Sequence, residues 1–419
     1  MSIDRVGVVK AFAQTRMAHA FLRTREDIER HQTKLWRRLA PTLARTPALA
    51  AHAGAPFTDL PVVEPSVMRA GLGDWNSLGL SASEIMAGAE AAESGGAGEL
   101  RPGVFAGYST GSSGVRGAFL SSAEERARYL GQSLAKLLPP PLLRRRRIGL
   151  CLRADNALYR DVANAGPFQF RFWSVGTPSA ERAKQIEAHA PDILIAPSHV
   201  LAELARFAEA GTFKPPMFER LYYGAEPMGD AERAWIAAAL GARPDPIYQA
   251  TEGFLGAACQ HGTLHLNEDS IAFELEPIAA SDRYRLIVTD LRRTSQPMVR
   301  VRLDDLVQAL DEPCRCGSAL RAVAPIEGRI SDIWLWQDAF VFPKQVEDEL
   351  GKAVPPSADW RAVASAESVS LACEPEHADR AKSALTALLA DAGVARPVTA
   401  TALTPQTSPK RRRVQWIDG

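Results

Sequence analysis

Tyr108-Ser109-Thr110-Gly111-Ser112-Ser113-Gly114-Val115-Arg116-Gly117 packs four Ser/Thr hydroxyls and three glycines into ten residues. Ahead of it, Gly103-Val104-Phe105-Ala106-Gly107 reads as a short strand, and behind it Ala118-Phe119-Leu120 reads as another. The pair predicts a hydroxyl-rich hairpin rather than a strand-to-helix turn. Such a loop suits phosphate: glycines let backbone N–H groups approach an anion closely, and hydroxyls donate further hydrogen bonds. Arg116 adds a guanidinium fork that matches phosphate oxygens. The loop fits neither common nucleotide motif, because no Lys follows its glycines and no Gly-x-Gly-x-x-Gly opens a helix.

The frame around that loop is an ordinary globular one. A length of 419 residues predicts two domains, at most three. Lys+Arg and Asp+Glu balance at 49 each, so no global basic field argues for nucleic acid. No run of 18 uncharged apolar residues predicts a membrane span. Met1-Ser2-Ile3-Asp4-Arg5 does not read as a secretory signal. Five cysteines in so long a chain do not suggest a disulfide scaffold, and a reducing cytoplasm is the expected compartment.

Working outward, residues 1–50 read as helical, with Ile28, Leu35, Trp36, Leu39 and Leu43 at near-helical spacing. Pro41 is expected to end one helix and open the next. Ala87 to Gly98, rich in small residues, reads as a mobile surface segment. Ser121 to Leu138 reads as a helix with acids in its first turn. Arg144 to Arg147 is a four-arginine run, read as a solvated basic sheet edge. Strands at 148–152, 168–175, 192–197 and 221–224 alternate with helices of 10–15 residues, which predicts a parallel α/β sheet with helices on both faces. From Ala257 to Arg302 short alternating segments predict a small antiparallel sheet. Gly328 to Ser331 is a plausible boundary, followed by about 90 residues with their own α+β mix.

Five further motifs follow the hairpin in order: Tyr223-Gly224-Ala225-Glu226-Pro227, Tyr248-Gln249-Ala250-Thr251-Glu252, the stretch from Pro297 to Leu306 with Asp304-Asp305, Ile326-Glu327-Gly328-Arg329-Ile330-Ser331-Asp332, and Pro409-Lys410-Arg411-Arg412-Arg413-Val414. Together they resemble the adenylate-forming superfamily of acyl-CoA synthetases and adenylation domains. More narrowly they are similar to the short phenylacetate–CoA ligase branch, which also contains synthetases that adenylylate a deazaflavin coenzyme. The resemblance covers nearly the whole chain from about Leu35.

The resemblance implies an α/β fold. A large N-terminal domain, residues 1–329, would hold mixed and parallel sheets with flanking helices plus a small antiparallel subdomain. A small mobile α+β C-terminal domain, 330–419, would carry the catalytic-lysine tail. It assigns ATP phosphates to Ser109, Thr110, Gly111, Ser112, Ser113 and Gly114, with Arg116 in place of the usual loop lysine. Gly224, Ala225, Glu226 and Pro227 would pack against adenine, and Tyr248 would stack on it. Thr251 would hold the α-phosphate, Glu252 Mg²⁺, Asp305 the ribose hydroxyls and Arg329 the nucleotide. Lys410 would swing in for adenylation. Three departures stand out: Gln249 and Asp304 replace small residues, Asp304 with an effect on the turn expected, and Ser331 takes the hinge aspartate position.

Cys259, His265, Cys314 and Cys316 form a candidate Cys₃His zinc set, with His261 as the rival to His265. Some members of the resembled branch carry such a cluster, and zinc there would be structural.

The function implied is a ligase that joins a carboxylic acid to the α-phosphorus of ATP, then passes the acyl group to CoA. An aromatic or otherwise compact acid is expected; Phe168, Phe170, Phe172 and Trp173 supply an aromatic strand for it, with plain core packing the preferred reading of those four. Arg144 to Arg147 offers a contact for the CoA 3′-phosphate. The alternatives are a stand-alone adenylyltransferase, a carrier-protein-loading or amide-forming ligase using an amine, and a non-catalytic nucleotide-binding relic. A homodimer is the assembly considered; neither nucleic acid nor membrane is expected as a partner.

Overall fold

The computed structural model describes residues 4–96, 98–108, 117–142, 144–152, 168–278, 281–337, 339–404 and 411–417. Its centre is an eight-stranded sheet in the order Ala322–Val323, Leu264–Leu266, Gly253–Ala258, Pro244–Ala250, Arg220–Gly224, Ile193–Pro197, Arg146–Leu152, Phe168–Ser174. The five strands from Phe168–Ser174 to Pro244–Ala250 run parallel, and the remaining three add antiparallel.

Alternation along the parallel strands explains the two covered faces. Leu194, Ala196, Leu221 and Tyr223 pack on one side, under the helices Ser179–His189, Ser198–Glu209 and Asp230–Leu240. Ile148, Ile193 and Tyr222 face the other way, toward Leu134 and Leu137 of the Ala123–Leu137 helix. That helix begins with a capping box between Ser122 and Glu125, as its acidic first turn suggested. The antiparallel sheet expected downstream of Ala257 forms from Ile271–Pro277, Arg283–Asp290 and Val301–Gln308. It shares a core with Leu35, Leu39 and Leu43 of the N-terminal helix Arg25–Leu43.

Three local expectations are corrected. The Arg25–Leu43 helix continues through Pro41 instead of breaking there. Pro41 falls in the last turn, and the burial of Leu35, Leu39 and Leu43 outweighs one missing hydrogen bond. Ala87 to Gly98 is not a loose surface segment: the helix Ala82–Glu93 runs into it from a Ser81/Glu84 capping box. Its small residues permit close approach, since a Cβ on Gly88 would lie 2.3 Å from Leu100 Cδ2. The arginine run is not uniformly solvated. Arg146 is buried and forks onto Glu219 at 2.7 and 2.9 Å, while Arg144, Arg145 and Arg147 stay exposed.

Residues 334–416 share a hydrophobic cluster of their own. A four-stranded sheet, Val398–Ala402, Val369–Cys373, Trp360–Ala364, Val414–Trp416, carries the helices Pro343–Ala353 and Ala378–Asp391. Trp334 Nε1 donates to the Gln415 carbonyl at 2.8 Å and closes the last strand against the Trp334–Trp336 hairpin.

Candidate active site

The strands that carry the hydroxyl-rich hairpin form as predicted: Val104–Tyr108 pairs with Ala118–Ser122, ending at Tyr108 opposite Ala118. Ser109, Thr110, Gly111, Ser112, Ser113, Gly114 and Arg116 lie outside the described residues, as does Lys410. The hairpin stem borders a cavity of about 1170 Å³, which the other motif segments also line.

Tyr248 and Asp305, 57 residues apart, meet there: the Tyr248 hydroxyl donates to Asp305 Oδ2 at 2.8 Å. Tyr248 is buried, and burial followed by the Asp305 charge holds its phenol well above the ordinary tyrosine range. It is therefore a fixed donor to the carboxylate. Asp305 also forms an isolated antiparallel bridge with Arg329, so the motifs at 297–306 and 326–332 lie side by side. Burial, aided by the Asp305 charge, raises the Glu252 carboxyl above its usual value. Two acidic groups thus converge on the cavity. Arg293 anchors the segment between them, donating to the Thr251 carbonyl at 2.8 Å and to the Leu120 carbonyl at 3.0 Å.

A β-bulge orients this region. Tyr248 pairs with Gly256 and Gln249 with Phe254, leaving Leu255 as the extra residue. Buried Asn267 takes up the freed carbonyls, its backbone N–H bonding Leu255 O at 2.8 Å and its side chain Phe254 O at 2.7 Å.

Two departures from the resembled motifs answer one another. Asp304 does not disturb a turn: it lies within the Val301–Gln308 strand and has no positive φ. Its carboxylate accepts from the Ser331 hydroxyl at 2.6 Å and the Ser331 N–H at 3.2 Å. An aspartate at 331 would set two carboxylates against each other.

In the Tyr223–Pro227 motif, Ala225 has φ 69, the left-handed region that favours glycine. Glu226 lines the cavity but commits its carboxylate elsewhere. It accepts from Ser198 Oγ at 2.8 Å, lies 2.8 Å from His199 Nδ1, and accepts the Arg411 N–H at 2.7 Å. Burial opposes ionisation, but His199 and Arg411 prevail and hold its carboxyl at about 2. Beside it, buried Glu232 takes Arg411 at 2.8 Å and Arg413 at 3.1 Å. Arg412 pairs with Asp332. Three consecutive arginines thereby fasten the chain end immediately after Lys410 beside the cavity.

The aromatic strand suggested for the acid does not reach the cavity. Trp173 is buried among the helices of one sheet face, and Phe168 and Phe170 pack on the other. The sheet edge uses them as core, because successive side chains alternate between faces. The rings in the cavity include Tyr129, Phe254 and Phe105. Tyr129 donates to Gln249 Oε1 at 2.7 Å and meets Phe254 edge-on at 6.2 Å, while the Arg126 guanidinium lies 4.1 Å over Phe105. Tyr129 and Arg126 share one helix turn, a spacing visible in the sequence but without a motif to single it out.

Cys259, His265, Cys314 and Cys316 present ligand atoms all within 4.8 Å of one another. Cys259 and Cys314 sulfurs are 3.8 Å apart, the edge of a tetrahedron with Zn–S bonds of about 2.3 Å. Cys316 Sγ lies 3.4 Å from His265 Nε2, and His265 Nδ1 is 2.9 Å from the Leu320 carbonyl. That outer contact turns Nε2 toward the thiols. The donor set fits zinc. His261 lies outside this group and beside Gln260.

No protein-family model matches the chain. Among curated proteins it is 26% identical over 176 residues to the phenylacetate-coenzyme A ligase of Thermus thermophilus, 39% of each chain. It is also 26% identical over 191 residues to that of Pseudomonas putida, 42% of this chain and 43% of the relative. The chain spans about two fifths of the length of these relatives in the match. A solved 2-hydroxyisobutyryl-CoA ligase in its postadenylation state superposes with TM-score 0.65 at 15% identity, covering 98% of this chain and 89% of that one. An anthranilate CoA ligase with anthranoyl-AMP gives TM-score 0.52 at 12% identity over 74% and 65%. The fold is that of adenylate-forming ligases, and the sequence is similar to their phenylacetate–CoA ligase branch.

Proposed function

We propose that this chain, with that fold and that sequence likeness, is an ATP-dependent acid–thiol ligase. The acid's carboxylate oxygen attacks the α-phosphorus of ATP and pyrophosphate leaves. The CoA thiolate then attacks the acyl carbonyl and AMP leaves. The observation that carries this reading is the Tyr248–Asp305 contact at 2.8 Å inside a cavity also lined by Thr251, Glu252, Gly224 and Arg329.

In this reading Asp305, oriented by the Tyr248 hydroxyl, accepts both ribose hydroxyls. Thr251, braced through its carbonyl by Arg293, reaches the α-phosphate. Glu252 is the residue that would hold Mg²⁺, which supplies charge neutralisation at the phosphates. Its raised carboxyl beside Asp305 suits a cation ligand. The roles of Ser109 to Gly114, Arg116 and Lys410 rest on the resemblance. So does the division into 1–329 and a smaller domain, 330–419, that rotates about Arg329–Asp332 between half-reactions. Zinc at Cys259, His265, Cys314 and Cys316 would be structural.

The test is ATP–pyrophosphate exchange against a panel of aryl and alkyl acids, followed by mass spectrometry with CoA or amines added. Acid-dependent exchange that vanishes in Lys410→Ala, with acyl-CoA formed, is the expected result. Nucleotide binding without exchange on any acid refutes the ligase and leaves a non-catalytic relic. Acyl transfer to amines alone corrects the acceptor.

A further inference from the structure

Glu226 lines the cavity within a segment expected to pack against adenine, yet its carboxylate bonds the chain end and the groups that steady it. Oε1 accepts the Arg411 N–H at 2.7 Å and lies 2.8 Å from His199 Nδ1. Oε2 accepts Ser198 Oγ at 2.8 Å and the His199 N–H at 3.2 Å. An ionised carboxylate only accepts, and it has about four lone-pair directions. His199 Nδ1 therefore carries a hydrogen, and these four donors fill the directions that a nucleotide hydroxyl or amine would need.

The grip on the chain end is a grip on backbone. Arg411 also reaches Ser198 Oγ at 3.1 Å and Glu232 at 2.8 Å through its guanidinium. Those contacts end on a long side chain that turns about its own bonds. The N–H has no such freedom. It lies in the planar peptide group that joins Arg411 to Lys410, so a carboxylate holding it fixes the plane at which residue 410 enters the tail. Glu232 thus supplies attraction, and Glu226 supplies orientation. The frame behind Glu226 is stiff. Ser198 is fully buried at the start of the Ser198–Glu209 helix, and Ala225, held at φ 69, turns the end of the neighbouring strand toward it.

We propose that Glu226 is a positioning residue for adenylation: through the Arg411 amide it sets the approach of Lys410 to the α-phosphate, while its side chain contributes little to holding the nucleotide. This rests on the ligase reading. In that reading the small domain rotates between half-reactions, so the contact is made in the first and broken in the second.

The two half-reactions are assayed separately: ATP–pyrophosphate exchange with an acid of the panel, then thioester formation from CoA and the synthetic acyl-AMP of that acid. In Glu226→Ala, kcat for exchange should fall about tenfold to a hundredfold, while the KM for ATP and the thioester step stay within about threefold. Glu226→Gln, which keeps one acceptor oxygen, should fall between. Arg411→Pro against Arg411→Ala isolates the amide, because both lose the guanidinium and only the first loses the N–H. Arg411→Pro should be the slower in exchange, and that difference should vanish in the Glu226→Ala background. Should Glu226→Ala fail to fold, Glu226→Gln takes its place and the difference should shrink. A difference that persists undiminished belongs to proline's own stiffness and overturns the proposal, as does no difference in the parent background. A raised KM for ATP with kcat intact assigns Glu226 to the nucleotide and overturns it. An equal fall in both half-reactions makes Glu226 structural only and overturns it too. Exchange with no acid in the parent protein removes the ligase reading, whereas each of the other outcomes leaves that reading standing.

Discussion

Replacing Glu232 by alanine should loosen the end of the chain while leaving the large sheet intact. Glu232 is buried and bridges Arg411 at 2.8 and 2.9 Å and Arg413 at 3.1 and 3.2 Å. Burial opposes its charge, and the two arginines more than offset this, holding its carboxyl below the usual value. Without it, the two buried guanidinium groups lose the carboxylate they share, and among the described residues Arg413 keeps only the Asp359 carboxylate, at 3.8 Å. Removing one partner of such a group costs about 3–5 kcal/mol. Arg411 keeps Ser198 Oγ at 3.1 Å and Arg413 keeps the Trp360 ring at 5.1 Å, so the lower end of that range applies. Hydrogen exchange at the Val414–Trp416 amides reads this local opening directly, without requiring two-state unfolding of the whole chain. A loss of about 3 kcal/mol accelerates exchange roughly a hundredfold. Glu232→Gln, which keeps shape and one acceptor, should fall between. Exchange within about threefold of the parent protein would refute the reasoning, because pairing of Val414 with Ala362 would then suffice to hold the strand.

Three further outcomes are expected. Tyr248→Phe removes a hydrogen bond to a carboxylate, worth about 1.5–3 kcal/mol, so the KM for ATP in pyrophosphate exchange should rise roughly tenfold to a hundredfold; an unchanged KM refutes the role of Asp305. Protein purified without added zinc should carry one zinc per chain by elemental analysis, and Cys316→Ser should lose it and melt about 5 °C lower or more; equal melting and no metal refute the site. Burial raises Glu347 to about 7, above the ordinary 4.5, so the folded state holds its proton more tightly. Its contribution is complete below about pH 4.5 and is lost as pH rises through 7, roughly 3 kcal/mol in all. Glu347→Gln should therefore be more stable than the parent near pH 8 and match it near pH 4.5; the same difference at both refutes the assignment.

Much of the site was legible because its chemistry is written in short segments. Tyr248 to Glu252 and Asp304-Asp305 each sit within a few residues, and their resemblance to known motifs is what implied a shared cavity. The candidate Cys₃His cluster was readable from spacing, although only the fold groups His265 rather than His261 with the three thiols. What the sequence withheld depends on who stands opposite whom. Arg146 looks like any member of a basic run until Glu219 arrives from 73 residues away. Glu226 belongs to a nucleotide motif in the sequence, yet His199 and Arg411 claim its oxygens. Asp304 and Ser331 look like two defects when read separately and like one hydrogen-bonded pair when folded. The aromatic strand packs as core, the preferred of its two readings, and only the fold shows what covers each face.

The extra residue at Leu255 sets the phase of everything after it. Upstream of the bulge Tyr248 turns to Asp305; at it Gln249 turns to Tyr129. Strand side chains have a two-residue beat, so dropping one residue between Gln249 and Leu255 would turn the residues that follow it to the opposite face of the sheet. Length, more than identity, is the rigid quantity in this segment. Lineages of this chain should accept many replacements there, provided Asn267 remains to clasp the bulge, and tolerate almost no change in spacing.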